Sequence, residues 1–249
     1  MKRQNTEHLP EFFKIELAGK KIEVNCLRRR VFNQCGDYLA RFDTPDFSVG
    51  ATPEDLALER ERSAQEARRE GREPTPYADD YLETLAVYRQ ITQKMLDYGI
   101  LLLHGAAIAV DGRCYLFLAD SGTGKTTHIR NWLKMIPGTV VINGDKPLID
   151  MHTLEVYGTP WAGKEKYNTN THARLAGLVL LERGQSNEIS SVSFHEALPG
   201  LLAQCHVPDG ETARVYPLLG RMKDVPCFRL KCNMEPDSAL VACRAVHHV

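Results

Sequence analysis

A short glycine-rich segment between an apolar run and a helical stretch constrains this chain more than any other feature of its sequence. The apolar run is Tyr115–Leu118, Ala119–Thr126 reads ADSGTGKT, and Thr126–Met135 continues as a predicted helix. A glycine-rich turn that joins a strand to a helix is the arrangement of a phosphate-binding loop. The sequence therefore predicts an α/β core with an anion site where this helix begins.

The segment matches the Walker A pattern, with Ala119 in place of the first glycine. Gly122 and Gly124 allow backbone angles that turn successive N–H groups toward phosphate oxygens. Lys125 is placed to neutralise the β- and γ-phosphates, and the Thr126 hydroxyl to bind Mg²⁺. A turn that uses glycine only for its shape does not explain Lys-Thr at these positions. The predicted nucleotide-binding residues are Ser121, Gly122, Thr123, Gly124, Lys125, Thr126 and Thr127.

An acidic residue follows the next apolar run. Val140–Ile142 leads into Asn143-Gly144-Asp145-Lys146-Pro147. A buried strand that ends in Asp is the Walker B arrangement, in which the carboxylate helps to hold the metal. Asp145 is therefore the second predicted Mg²⁺ ligand, beside Thr126. The alternative is a simple turn, because Asn-Gly and Lys-Pro favour turns.

These residues resemble the HPr kinase/phosphorylase and phosphoenolpyruvate carboxykinase group of P-loop proteins. The resemblance rests on Leu103–Ala106 (LHGA) before the loop, on Ser121–Thr126, on the early acid Asp145, and on Gly158–Lys164 (GTPWAGK). It covers about residues 101–181, and its motifs are specific only in combination. The resemblance implies a phosphoenolpyruvate-carboxykinase-like P-loop core with a mixed sheet, ATP as the nucleotide, and a kinase activity.

The resemblance also implies catalytic roles for Lys125, His104, Asp145 and Lys164. His104 would support the acid, Asp145 would bind metal or take the proton from an attacking hydroxyl, and Lys164 would reach the transferred phosphate. Two of these residues have structural alternatives: His104 satisfying buried backbone groups, and Lys164 lying solvated in an exposed loop.

One departure from the family bears on the reaction. The family carries two adjacent acids after the strand, and Gly144 stands in the first position here. If the first acid is the base, hydroxyl activation is weakened while nucleotide binding survives. The leading hypothesis is an ATP-dependent kinase that acts on a hydroxyl of a protein, peptide or small molecule. The alternatives are a non-catalytic ATP-dependent switch or scaffold and a simple NTPase.

The charge and composition of the chain limit the classes of partner that it is expected to bind. A formal net charge of −1 gives no basic excess for nucleic acid or a membrane surface. The polar N-terminus lacks a secretory apolar stretch, and no apolar run reaches membrane-spanning length. Seven cysteines without framework spacing predict reduced thiols in a cytoplasmic protein. Structural zinc is the weaker interpretation, because no C-x-x-C pair occurs. A homo-oligomer is left open.

Two parts are predicted: a β-rich segment with a charged helix at 1–75, and a kinase-like core at 76–249, separated at Pro74-Thr75-Pro76. The first part is expected to hold a hairpin and two short strands before the charged helix. The core is expected to open with a helix stopped by Gly99 and one long strand. The predicted elements of these regions are a hairpin at Phe12–Asn25, strands at Asp37–Phe42 and Phe47–Val49, helices at Pro53–Glu73 and from Asp79, and a strand at Ile100–Val110.

Overall fold

The computed structural model describes residues 12–69 and 71–247. It divides the chain into two compact units, the first ending at Lys94 and the second beginning at Met95. The boundary predicted from the proline-rich break lies earlier, at 75/76. Most of the helix that follows that break therefore belongs to the first unit.

The first unit contains a three-stranded sheet. Strands β1 (Phe12–Leu17) and β2 (Lys20–Asn25) pair antiparallel, which confirms the predicted hairpin. Its turn residues Ala18 and Gly19 both have positive φ, 49° and 70°, as the commonest two-residue hairpin turns require. Strand β3 (Phe47–Gly50) pairs parallel with β2.

The described part of the first unit also holds the helices α1 (Arg29–Gln34) and α2 (Pro53–Arg69) and all but the last residue of α3 (Asp79–Met95). The predicted charged helix is thus confirmed as α2. The strand predicted at Asp37–Phe42 is wrong, because Gly36–Tyr38 forms a 3₁₀ helix and only Leu39 makes a bridge, to Ile15.

The second unit is built on a nine-stranded mixed sheet. Its strands are β4 (Ile100–Leu102), β5 (Gly105–Val110), β6 (Arg113–Leu118), β7 (Val140–Asn143), β8 (Leu148–Asp150), β9 (Glu155–Tyr157), β10 (His172–Arg183), β11 (Glu188–Val192) and β12 (Cys227–Cys232). They run in the order β4-β8-β9-β10-β6-β5-β7, with β12 paired to β10 and β11 paired to β12. The long strand β10 is parallel to β6 and β12 and antiparallel to β9.

Helices cover both faces of this sheet. They are α4 (Lys125–Met135), α5 (Phe194–Gln204), α6 (Thr212–Leu219) and α7 (Asp237–His247). Along β6, Cys114 and Leu116 pack in a buried cluster with residues of α5 and α6, while Tyr115 and Phe117 pack in a cluster with residues of α4 and α7. Successive side chains of a strand point to opposite faces, so both faces are buried. The predicted α/β class with a mixed sheet is confirmed.

The single strand predicted at Ile100–Val110 is interrupted. β4 pairs with β8, whereas β5 pairs with β6 and β7, so the chain changes neighbours at Leu103 and His104. A Cβ on Gly105 would lie 3.0 Å from the carbonyl oxygen of Phe117, which explains why glycine begins β5. The break matters because it frees His104 from regular sheet pairing. No helix in the described part of the chain is long and apolar enough to cross a membrane.

Candidate functional site

The glycine-rich loop occupies residues 119–124, between the end of β6 and the start of α4. Gly122 and Gly124 have φ of 78° and 127°, which glycine adopts far more readily than other residues. Gly124 is the N-cap of α4 and has no side chain with which to satisfy the first-turn N–H groups. The loop therefore presents main-chain donors and the positive end of a helix dipole at one place.

Lys125 lies at the first position of α4 and turns back over the loop. Its Nζ donates to the carbonyl oxygen of Ala119 and, at 3.5 Å, to that of Asp120. Burial lowers the pKa of Lys125, while the negative charges of Asp145 and Asp120 oppose that shift. The ammonium group is thus held inside the loop and within the field of Asp145.

The turn after β7 is shaped by Asn143, for which the sequence predicts no role beyond a turn. Its Oδ1 accepts hydrogen bonds from the N–H groups of Asp145 (2.8 Å) and Lys146 (2.7 Å). Its Nδ2 donates to the carbonyl and hydroxyl oxygens of Thr159, and both side chains are buried. The Asn therefore does form a turn, and this turn fixes the direction of Asp145. An amide that ends an apolar strand was the available signal.

The Asp145 carboxylate lies between two basic side chains. His104 Nε2 is 3.1 Å from Oδ1, and Lys146 Nζ is 2.6 Å from Oδ2. Burial alone would raise the pKa of Asp145, but the hydrogen bonds and charges of His104 and Lys146 outweigh burial and hold this pKa well below its usual value. Asp145 is therefore ionised at neutral pH.

Gln204, at the end of α5, joins His104 to the loop. Its Oε1 lies 2.9 Å from His104 Nδ1, and its Nε2 donates to Asp120 Oδ1 at 3.1 Å. The main chain adds a further link, because the His104 N–H donates to the Gln204 carbonyl at 2.7 Å. Gln204 is not predictable from the sequence, because no motif surrounds it and only the folded chain brings it to His104.

The Gly-Thr-Pro-Trp segment passes beside Asp145. Thr159 and Trp161 are buried, and a Cβ on Gly163 would lie 3.4 Å from Asp145 Cβ. Lys164, the next residue, is exposed. The structure thus brings this backbone to the acid and leaves the Lys164 side chain in the exposed loop.

Tyr167 and Ile129 occupy the space beside Gly144. A Cβ on Gly144 would lie 3.1 Å from Ile129 Cδ1 and 3.1 Å from Tyr167 Cβ. The Gly144 N–H donates to the Tyr167 carbonyl at 2.7 Å. A second acid at this position would have to displace its neighbours, so Asp145 is the acid that the turn accommodates.

Arg183 contacts the loop from the end of β10. This strand extends beyond Leu180, which is paired with the last residue of β6. The Arg183 Nη2 donates to the Gly122 carbonyl at 2.6 Å. Sequence analysis did not single out Arg183, because the parallel pairing of β10 with β6 is not readable from the local sequence.

Carboxylate and hydroxyl oxygens are the donors that Mg²⁺ prefers, usually together with waters and the phosphates of a nucleotide. Asp145 is ionised, and each of its oxygens keeps a lone pair beside its hydrogen bond. Thr126 places a hydroxyl in the first turn of α4. Within residues 12–69 and 71–247, no group of three or more His, Cys, Asp or Glu side chains is arranged to hold a metal.

The fold therefore gathers three of the four predicted catalytic residues, His104, Lys125 and Asp145, at the glycine-rich loop. Ser121 is exposed, while Thr123, Thr126 and Thr127 are partly buried around the start of α4. No protein-family model matches the sequence, and no curated protein matches it significantly. The geometry of the site consequently carries the functional argument.

Proposed function

We propose that this chain binds ATP with Mg²⁺ at Ser121–Thr127 and transfers the γ-phosphoryl group to a hydroxyl of a protein, peptide or small molecule. In this proposal the second unit is a phosphoenolpyruvate-carboxykinase-like P-loop core, similar to that of HPr kinase/phosphorylase. The observation that carries the proposal is an ionised Asp145, held by His104 and Lys146, in the field of the loop residue Lys125.

The charges of the site suit phosphoryl transfer, which depends mainly on positioning and electrostatic stabilisation. Main-chain N–H groups of the loop and the Lys125 ammonium would bind the phosphates. Thr126 and Asp145 would hold the metal ion, which when bound neutralises charge on the phosphate oxygens. Lys125 would exchange its present bonds to loop carbonyls for bonds to phosphate oxygens.

The direction of the Asp145 pKa shift separates two roles for this carboxylate. A general base works best when its pKa lies near the operating pH. The pKa of Asp145 is instead held low by His104 and Lys146. Asp145 is therefore better suited to binding metal and orienting the acceptor hydroxyl than to removing its proton.

The test uses labelled ATP, Mg²⁺ and a panel of hydroxyl acceptors with wild-type protein and Lys125→Ala. Transfer of label is expected in the wild type and its loss in Lys125→Ala. Lys134→Ala, a matched change at an exposed position of the same helix, should retain activity. Full ATP consumption by Lys125→Ala would overturn the proposal, and phosphate release unaffected by any acceptor would favour a simple NTPase.

A nucleotide-dependent switch is the second candidate, and the surroundings of Gly144 favour it. Because Tyr167 and Ile129 fill the space beside Gly144, the turn holds a single acid with a low pKa. Such a site binds a metal nucleotide well and activates a hydroxyl weakly. Tight binding of Mg–ATP by calorimetry, with neither transfer nor hydrolysis, would support the switch over the kinase.

A further inference from the structure

The side chain of Gln204 is buried, and both ends of its amide are used. Its exposed fraction is 8%. The amide oxygen faces His104 Nδ1, and the amide nitrogen faces Asp120 Oδ1. These contacts join three separate parts of the second unit: the end of α5, the break between β4 and β5, and the glycine-rich loop. Gln204 lies outside the Walker A segment Ala119–Thr126 and outside the acidic turn at Asp145.

Chemistry fixes the direction of each hydrogen bond along this chain. The Asp120 carboxylate only accepts, so the Gln204 amide must turn its NH₂ toward Asp120. The amide oxygen then faces His104 and accepts from Nδ1–H. The opposite ring nitrogen, Nε2, lies 3.1 Å from Asp145 Oδ1, which only accepts, so Nε2–H donates to it. One amide orientation therefore sets the plane of the His104 ring, and that plane sets the position of the Asp145 oxygen.

We propose that Gln204 is a positioning residue that couples the glycine-rich loop to Asp145 through His104. Gln204 acts through His104 and has no role in contacting the nucleotide. This inference rests on the proposed phosphoryl transfer, in which the metal ion and the acceptor hydroxyl must be held in the correct relative position. A displaced Asp145 would slow that step most. Residues that orient a functional side chain in this way typically contribute about 10- to 100-fold to activity.

The experiment compares four variants with the wild type in steady-state phosphoryl transfer. Gln204→Met keeps the length of the side chain and removes both hydrogen bonds. Gln204→Glu keeps the acceptor for His104 but sets two carboxylates against each other at Asp120. Gln204→Glu combined with Asp120→Asn reverses donor and acceptor, because the amide introduced by Asp120→Asn would donate to the carboxylate introduced by Gln204→Glu. Gln93→Met, at an exposed position of α3, is the matched control.

We expect Gln204→Met to lower kcat about 10- to 100-fold with KM for Mg–ATP changed by less than about threefold. Gln204→Glu should be at least as impaired, and the double variant should recover about tenfold of that loss. A residue that only stabilised the fold would lower Tm and leave the kcat of the folded protein unchanged. A wild-type kcat in folded Gln204→Met, or a double variant no better than Gln204→Glu, would overturn the inference.

A second measurement separates this inference from the proposed function. Histidine side-chain NMR, with His104 assigned by substitution, reports the environment of Nδ1 without any turnover. The His104 Nδ1 resonance should shift in Gln204→Met and return toward its wild-type position in the double variant. A wild-type protein without phosphoryl transfer would remove the proposed kinase function, whereas an unchanged His104 resonance in Gln204→Met would remove the role of Gln204.

Discussion

Glu83 in the first unit and Asp145 in the second are hydrogen-bonded carboxylates with opposite pKa shifts. The Glu83 side chain is fully buried and accepts hydrogen bonds from the backbone N–H groups of Leu27 (2.5 Å) and Arg28 (3.3 Å). Burial raises its pKa in spite of these bonds and of the nearby Arg28 guanidinium. At Asp145 the pKa falls, because side-chain partners outweigh burial.

The difference lies in the kind of partner and its distance. The closest guanidinium nitrogen of Arg28 is 3.7 Å from Glu83, whereas Lys146 Nζ lies 2.6 Å from Asp145 and His104 adds a second direct contact. Direct contact with charged donors stabilises a carboxylate more than neutral donors do. Glu83 therefore has the properties of a structural residue that holds the Leu27 and Arg28 backbone, whereas Asp145 keeps its negative charge.

The largest expected effect follows from exchanging each carboxylate for its amide. Asp145→Asn removes the charge at the loop and should lower phosphoryl transfer on the order of 10³-fold, the scale of losing one main electrostatic group. Glu83→Gln should leave transfer within about threefold, because it retains an amide oxygen for Leu27. Steady-state kinetics of both variants test this, and equal losses would erase the contrast between the two carboxylates.

The second prediction concerns stability in the first unit. Glu83→Ala leaves the Leu27 N–H without its acceptor and should lower the free energy of unfolding by about 3 kcal/mol. Glu83→Gln should cost about 1 kcal/mol, since one acceptor remains. Urea unfolding of both variants measures these changes in the free energy of unfolding. A Glu83→Ala protein as stable as the wild type would contradict the structural role of Glu83.

A third titratable group, His128, has a pKa that is shifted by burial alone. Burial lowers the pKa of His128 to about 3. Its Nε2 accepts from Trp132, and its Nδ1 has no hydrogen-bond partner among the described residues. Below about pH 6.5, His128 takes up a proton in the unfolded chain but stays neutral in the folded protein. The free energy of unfolding should therefore fall by about 2 kcal/mol from pH 7 to pH 5.

The matched variant is His128→Gln, which keeps an acceptor for Trp132 and has no titrating group. Unfolding curves at pH 7 and pH 5 for the two proteins isolate the His128 contribution, because most other titrations cancel in the difference. A pH dependence that is identical in both proteins would contradict the prediction.

The smallest effect on nucleotide binding is expected for an exposed residue, Arg183. Arg183 is exposed and holds the loop through a single bond to the Gly122 carbonyl. Arg183→Gln should weaken Mg–ATP binding by about threefold, which corresponds to less than about 1 kcal/mol. Calorimetry beside Arg174→Gln, an exposed change at the other end of β10, measures it. A loss above a hundredfold would mean that Arg183 contacts the phosphates directly.

Much of the fold was readable where local sequence decides local structure. The β5–β6 hairpin, like the β1–β2 hairpin, turns at two residues with positive φ, Asp111 and Gly112 at 51° and 74°. The predicted stop at Gly99 is confirmed as the end of the 3₁₀ turn Leu96–Tyr98 that follows α3, where Gly99 has φ of 69°. Sequence analysis missed β11, whose EISSV sequence is mostly exposed, and α6, which is short and contains Pro217.

The sequence by itself determined the loop, the acid after β7 and the α/β class, because glycine conformation, strand patterning and charge are local properties. Only the tertiary structure decided which residues meet at the site. Gln204 and Arg183 reach the loop through the placement of α5 and the parallel pairing of β10 with β6. Their contacts come from long-range packing between segments far apart in the chain, so a pattern within one segment gives no sign of them.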